Sequence, residues 1–228
     1  MDKKEIILKY INKNEAARYL GYKDTLPDVQ ITKMLLEAET ELLKIIQPRY
    51  VYKVFDLYEA EGEILLRGAE LKLRGDSIKE HLNGCKKAVV MCATISDKVD
   101  NLLRKNELSN MLNALIIDAL SNAAIEQVCD EVQEIIENEF SDFYLTWRFG
   151  VGYGDFPLST QKELLETLDA PKRIGVCATD SFILVPRKSV TCIIGLSEKE
   201  TEQKKSCDNC ILNGKCNFRL KGTTCYKQ

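Results

Sequence analysis

The feature that most restricts how this chain can fold is a long helical run from about Glu107 to Phe140. In it, Leu108, Met111, Leu112, Leu115, Ile116, Leu120, Ile125, Val128, Val132, Ile135 and Ile136 recur at helical spacing. A stripe of that length has to be covered by other elements, so it predicts the spine of a single core. Strand candidates surround it. Tyr50–Tyr58 alternates and is rich in β-branched and aromatic residues, and Glu63–Leu73 follows after Gly62, which reads as a hairpin. Lys87–Thr94 reads as a central strand and Tyr144–Phe149 as a short one. Arg173–Ala178 and Ser189–Leu196 complete the set, with Phe182–Val185 between them as a third or an edge strand.

Further helices are predicted over Asp2–Leu20, Pro27–Ile46, Asp76–Leu82 and Ser159–Leu168, and Ser96 or Asp97 caps another. Asp76 and Ser77 with Glu80, and Thr160 with Glu163, have the spacing of capping boxes. Strands and helices mix without a regular βαβ rhythm, so the expected class is α+β, a mainly antiparallel sheet with flanking helices. The expected organisation is an N-terminal helical segment over 1–48, a core over 49–197, and a linker with a cysteine-rich tail over 198–228.

Composition narrows the function. With 228 residues, 45% apolar and 29% charged, the chain suits one core and a small appendage. A formal charge of -3 provides no basic field for a phosphate backbone, so nucleic acid is not an expected partner. Met1–Lys13 lacks the apolar core of a secretory signal, and no stretch approaches the roughly 20 apolar residues of a membrane span. The expected location is the cytoplasm, with no membrane partner.

The densest candidate site is the loop Arg148–Phe156. Gly150, Gly152 and Gly154 permit close approach of backbone to a ligand, Arg148 can pair bidentately with a carboxylate, and Tyr153 offers a flat face. The competing reading is a plain strand-to-helix connection, and the glycine spacing is neither a Rossmann nor a P-loop fingerprint. Glu126 sits mid-helix among Ala123, Ala124 and Ile125, small neighbours that leave room for a ligand, although a mid-helix carboxylate is most often solvated surface.

His81, the only histidine, cannot supply a metal triad and reads as a helix C-terminal residue near the dipole, so hydrolytic catalysis has little support. Cys85, Cys92, Cys129, Cys177 and Cys192 fall singly and read as small buried hydrophobes. Cys207-x-x-Cys210 with Cys216 and Cys225 forms a four-thiolate set in a polar tail. It suits zinc or an iron–sulfur cluster, with uncoordinated thiols as the alternative.

The segment Arg-Phe-Gly-Val-Gly-Tyr-Gly-Asp-Phe-Pro-Leu from Arg148, then Thr179-Asp180-Ser181-Phe182 and Pro186-Arg187-Lys188-Ser189-Val190, resembles the activation domain of cobalamin-dependent methionine synthase. The likeness is to its free-standing bacterial forms and extends back through the long helix and Lys87–Thr94, more loosely to Tyr50. Where the family's long form has Gly-Tyr-Pro, Gly154 follows Tyr153 here, and the long form has no cysteine tail.

The resemblance implies a twisted antiparallel sheet with a shallow groove for S-adenosylmethionine, whose methyl group is presented to cob(II)alamin during reductive reactivation. It implies that Arg148 holds the ligand carboxylate and that Gly152, Tyr153 and Gly154 contact the nucleoside or amino acid part. Glu126 falls where the family has an acidic helix residue. No cobalamin-binding signature with a ligating histidine is present, so cobalamin is expected on a partner, a methionine synthase chain or another corrinoid protein, with a reductant protein supplying electrons. The chain then acts as an accessory rather than a complete enzyme. Two rival readings are a partner-docking module and an electron-delivery module with a metal-bearing tail.

Overall fold

In chain order the elements are α1 (Lys13–Tyr19), α2 (Val29–Ile45), β1 (Arg49–Ala60), β2 (Glu63–Leu66), β3 (Lys72–Leu73), α3 (Asp76–Leu82), β4 (Lys87–Thr94), α4 (Asp97–Ser109) and α5 (Met111–Glu139). There follow β5 (Tyr144–Leu145), β6 (Phe149–Gly150), α6 (Thr160–Leu168), α7 (Ala170–Ile174), β7 (Cys177–Ala178), β8 (Leu184–Val185), β9 (Ser189–Ser197) and α8 (Asn217–Leu220). This structure, a computed structural model, describes residues 4–22, 25–60, 62–200, 214–215 and 217–220. Cys207, Cys210, Cys216 and Cys225 lie outside the described residues.

Seven strands form one sheet in the order β3-β2-β1-β4-β9-β5, with β6 also paired to β9, while β7 and β8 make a separate hairpin. The pairings β1·β2, β2·β3, β5·β9, β6·β9 and β7·β8 are antiparallel. The hydrogen bonds flanking β4 give its direction as well. Lys86 N–H donates to Leu196 O and Ile95 N–H to Lys188 O, so β9 runs opposite to β4. Gln47 N–H to Ile95 O and Leu57 N–H to Lys86 O give the same sense for β1. The class is the expected one, α+β with a mainly antiparallel sheet and flanking helices. β4 is its centre because Ala88–Ala93 is an unbroken apolar run and every one of those side chains is inaccessible to solvent.

The described fold divides into two units. The first is Met1–Val51, Cys92–Ile136 and Ala170–Val190; the second is Tyr52–Met91, Glu137–Asp169 and Thr191–Gln228.

In the first unit, α5 buries Ile116, Ile117, Leu120, Ala124, Val128, Val132 and Ile136. α2 adds Leu35, Ala38 and Leu42, and α4 adds Val99 and Leu103. The run Glu107–Phe140 is two helices rather than one. Asn110 leaves helical geometry at φ −155 and ψ 89, and its side chain accepts Asn113 N–H at 3.1 Å, as an N-cap asparagine does.

The predicted Asp2–Leu20 helix is likewise shortened to α1. Asn12 caps it by accepting Glu15 N–H, while Asn12 N–H donates to Gln127 Oε1 at 2.7 Å and Ile11 N–H to Glu39 Oε1 at 2.8 Å. These tertiary bonds, with Ile6 and Ile11 buried, override the helical tendency of the preceding residues. The expected strand Arg173–Ala178 is helix α7 up to Ile174 and strand only at Cys177–Ala178. Asp169 at φ 55 and Gly175 at φ 71 bracket the helix. Lys188, 8% exposed, donates from Nζ to Asp118 Oδ1 at 2.6 Å and to Asn122 Oδ1 at 2.7 Å, which satisfies a buried cation.

In the second unit the predicted strand Glu63–Leu73 is divided into β2 and β3 by a turn at Arg67–Gly68, where Gly68 takes φ 81. The expected strand Tyr144–Phe149 is likewise two short pieces, β5 and β6. Neither predicted capping box forms. α3 starts after Gly75 and α6 after Ser159, both without a side-chain cap hydrogen bond from the N-cap residue. Among the described residues no helix is long and apolar enough to cross a membrane.

Gly195 in β9 tests the packing of this unit. A Cβ there would lie 2.5 Å from Cys85 Sγ and 3.1 Å from both Leu82 Cδ2 and Thr146 Cγ2. Gly195→Ala is therefore expected to destabilise the protein by about 1–3 kcal/mol in urea unfolding. Gly62, whose Cβ would enter open space, is the control and should cost less despite its φ of 75.

Candidate functional site

The Arg148–Phe156 loop belongs to the second unit and is built on a cluster of aromatic rings. Phe149 is buried, with its ring 4.8 Å from His81, 5.1 Å from Trp147 and 5.8 Å from Tyr153. Phe156 closes the cluster 6.2 Å from Phe149. Arg148 is half-buried, and Tyr153 remains 45% exposed, so the loop presents an aromatic face.

Backbone bonds fold the loop back on itself: Tyr153 N–H to Gly150 O at 3.1 Å, Gly152 N–H to Phe156 O at 3.0 Å, and Phe156 N–H to Tyr153 O at 2.9 Å. Gly152 and Gly154 take φ of 89 and 53. At Gly154 a Cβ would also come within 2.6 Å of Ser77 Cβ, so this position needs glycine for space as well as for conformation.

The next residue supplies what α3 lacks. The Asp155 carboxylate accepts Asp76 N–H at 2.7 Å and Ser77 N–H at 2.9 Å, and Asp155 N–H donates to Ser77 Oγ at 3.4 Å. The Ser77 and Asp76 backbone donors hold the Asp155 carboxyl below the usual carboxylate range. Local sequence pattern missed this role because the cap comes from 78 and 79 residues away. The signal available was Gly75, an N-cap with no side chain of its own.

His81 lies at the C-terminal end of α3, as its sequence position suggests, and it is buried there. It is 4% exposed in the last turn of α3, its Nε2 lies 2.8 Å from Thr146 Oγ1, and that oxygen accepts Gly195 N–H at 2.8 Å. Its ring packs edge-on against Trp147 at 4.9 Å. Burial drives its pKa down to about 4, partly offset by hydrogen bonding to the Ile193 and Trp147 backbone, so the ring is neutral.

Glu126 lies in the first unit, half-buried on α5, with Ala123, Ala124 and Ile125 buried beside it. It faces α1, where the Tyr19 phenol is pushed up to about 12 by burial first and then by the Glu126 and Glu15 charges. Arg18 is held by Glu15 at 2.5 Å in the same cluster. Glu126 is therefore part of a polar cluster and not a carboxylate on an open helix face.

The Thr179–Phe182 motif forms the turn between β7 and β8. Ile183 N–H donates to Thr179 Oγ1, the Thr179 and Ser181 hydroxyls lie 3.1 Å apart, and Phe182 takes φ 63.

Of the single cysteines, Cys92, Cys129 and Cys192 are buried as expected. Cys85 is half-buried, its thiol pushed up to about 11 by burial. Cys177 is exposed, contrary to the buried reading, because β7 belongs to a two-stranded hairpin that leaves its side chain uncovered. Among the described residues no group of three or more metal-binding side chains occurs.

The histidine sets a pH window. A folded pKa near 4 against an ordinary 6.5 means that the unfolded chain binds the extra proton between those values. The associated stability is complete above pH about 6.5 and is lost as pH falls towards about 4, up to about 3 kcal/mol. Urea unfolding from pH 7 to 4 is expected to show this loss, and His81→Gln to flatten that part of the profile.

No protein-family model matches this sequence, and no curated protein is similar to it. Among solved structures, a crystal structure of the MetH reactivation domain bound to AdoHcy is similar, with a TM-score of 0.63 over 94% of this chain and 82% of that one, at 15% sequence identity. The likeness establishes the fold: this chain has the α+β architecture of a reactivation domain, with a mainly antiparallel sheet and flanking helices.

Proposed function

We propose that this protein binds S-adenosylmethionine and supports the reductive methylation of cobalamin carried by a separate methionine synthase or related corrinoid chain. The observation that carries the reading is the shared fold with a reactivation domain bound to AdoHcy, the demethylated form of that ligand. The loop supports it independently. Arg148 provides a cation for the ligand carboxylate, Gly152 and Gly154 keep side chains away from the backbone, and Tyr153 offers an exposed ring for stacking. These groups fit an amino acid joined to a nucleoside.

S-adenosylmethionine supplies a methyl group on a sulfonium centre, an electrophile for a reduced cobalt. The chain's own contribution is binding and orientation: Arg148 fixes the carboxylate end, the loop backbone reads the ligand edge, and Tyr153 limits the tilt of a planar group. None of these residues carries out proton transfer in this account, and neutral His81 stays in the packing behind the loop. The protein is thus an accessory whose cobalamin substrate and reductant come from partner chains, and its place is the cytoplasm.

Calorimetric titration of the purified protein with S-adenosylmethionine tests the reading. Saturable binding that weakens at least tenfold in Arg148→Ala is the expected result, since a charge-assisted bidentate contact is worth about 1.5–3 kcal/mol. A folded protein that takes up no S-adenosylmethionine would contradict it.

Cys207, Cys210, Cys216 and Cys225 are assigned by spacing to a metal, zinc or an iron–sulfur cluster. Metal analysis of anaerobically purified full-length protein is expected to find a bound metal that is lost in the Cys207→Ser, Cys210→Ser double variant. Visible absorption would identify iron–sulfur, and metal-free protein would reject the assignment.

A further inference from the structure

The loop and α3 meet at both ends of the helix. At its start, Asp155 takes two backbone N–H groups that Gly75, the N-cap, has no side chain to accept. At its end, His81 rests on Thr146, Trp147 and Phe149.

The surroundings of the first contact are shaped to one carboxylate. Gly75 takes φ 115, and a Cβ there would lie 2.8 Å from Asp155 Oδ1 and 2.9 Å from Asp155 O. Gly154 excludes a side chain against Ser77, and Ser77 Oγ accepts Asp155 N–H in return. A strand-to-helix connection made only for turning would not need two separate glycines to admit a neighbouring acid and helix turn. The exchange of bonds joins the glycine turn, between the buried rings of Phe149 and Phe156, to an element 78 residues earlier.

We propose that Asp155 is a positioning residue for the ligand loop: by capping α3 it fixes the path through Gly152 and Gly154, and with it the placement of Arg148 and Tyr153, before a ligand arrives. Its functional consequence rests on the S-adenosylmethionine reading, whereas the loop's organisation does not. A loop held in its binding form loses less freedom when it closes on a ligand. If the form is populated only in part, apparent affinity falls by that fraction. Loss of a helix cap is of a size to weaken binding about five- to tenfold.

Trp147 is the only tryptophan, and its ring lies 5.1 Å from Phe149 and 6.1 Å from Tyr153, so its fluorescence reports on the loop without any ligand. The experiment compares acrylamide quenching of Trp147 in full-length wild type, Asp155→Ala and Asp155→Asn, followed by titration of each with S-adenosylmethionine. Quenching is expected to rise in Asp155→Ala and less in Asp155→Asn, which keeps one acceptor oxygen, with affinity falling in the same order and by about five- to tenfold in the alanine variant.

Unchanged quenching in a folded Asp155→Ala overturns the proposal. If that variant does not fold, Asp155→Asn and Ser77→Ala decide it, the latter removing the Ser77 hydroxyl's bonds to Asp155 while keeping the Asp155 carboxylate on the helix start. Increased quenching in either supports the proposal, and wild-type quenching in both overturns it. Raised quenching in a series whose wild type binds no S-adenosylmethionine would uphold the positioning role while removing the ligand assignment.

Discussion

The rest of the sheet depends on β4. Its side chains from Ala88 to Ala93 are fully buried, and it is hydrogen-bonded on one edge to β1 and on the other to β9. With both faces buried, its register is held by close packing of side chains of different size and by the bonds to both neighbouring strands. The bonds at its two ends, Lys86 to Leu196 and Ile95 to Lys188, lock β9 in antiparallel sense. β9 then carries β5 and β6, and β6 opens directly into the glycine loop. The placement of Phe149 opposite Ile193 is therefore the link from a buried apolar strand to a candidate ligand loop.

Second to that constraint is the arrangement by which the loop is backed. Rings at His81, Trp147, Phe149 and Phe156 form an apolar support, and the polar atoms within it are matched: Thr146 Oγ1 receives Gly195 N–H and lies against His81 Nε2. A buried neutral histidine satisfied in this way contributes to packing and does not serve as a general base at physiological pH. His81 thus belongs to the packing behind the loop, within a fold similar to that of a solved reactivation domain.

Much of this was legible in the sequence where local pattern and tertiary packing agree. β4 and α4 fall where an unbroken apolar run and the Ser96 cap place them, and α2 lies within the expected Pro27–Ile46. The losses come from long-range bonds. Residues before α1 are drawn out of a helix by Glu39 and Gln127, and the start of α3 is capped by Asp155 instead of by its own turn. No spacing rule sees partners that far apart. The loop's tight turns were legible from three glycines in five residues, two of which take positive φ. Its support by His81 was not, since nothing near His81 in the chain marks it as buried.

Hydrogen–deuterium exchange of the intact protein with and without S-adenosylmethionine is the most direct test of the central claim, because it asks where the ligand sits as well as whether it binds. Slowed exchange of the amides of residues 148–156 is expected in the presence of ligand. Exchange in that segment unchanged at ligand concentrations that saturate binding elsewhere, or no effect anywhere on a folded chain, would contradict it.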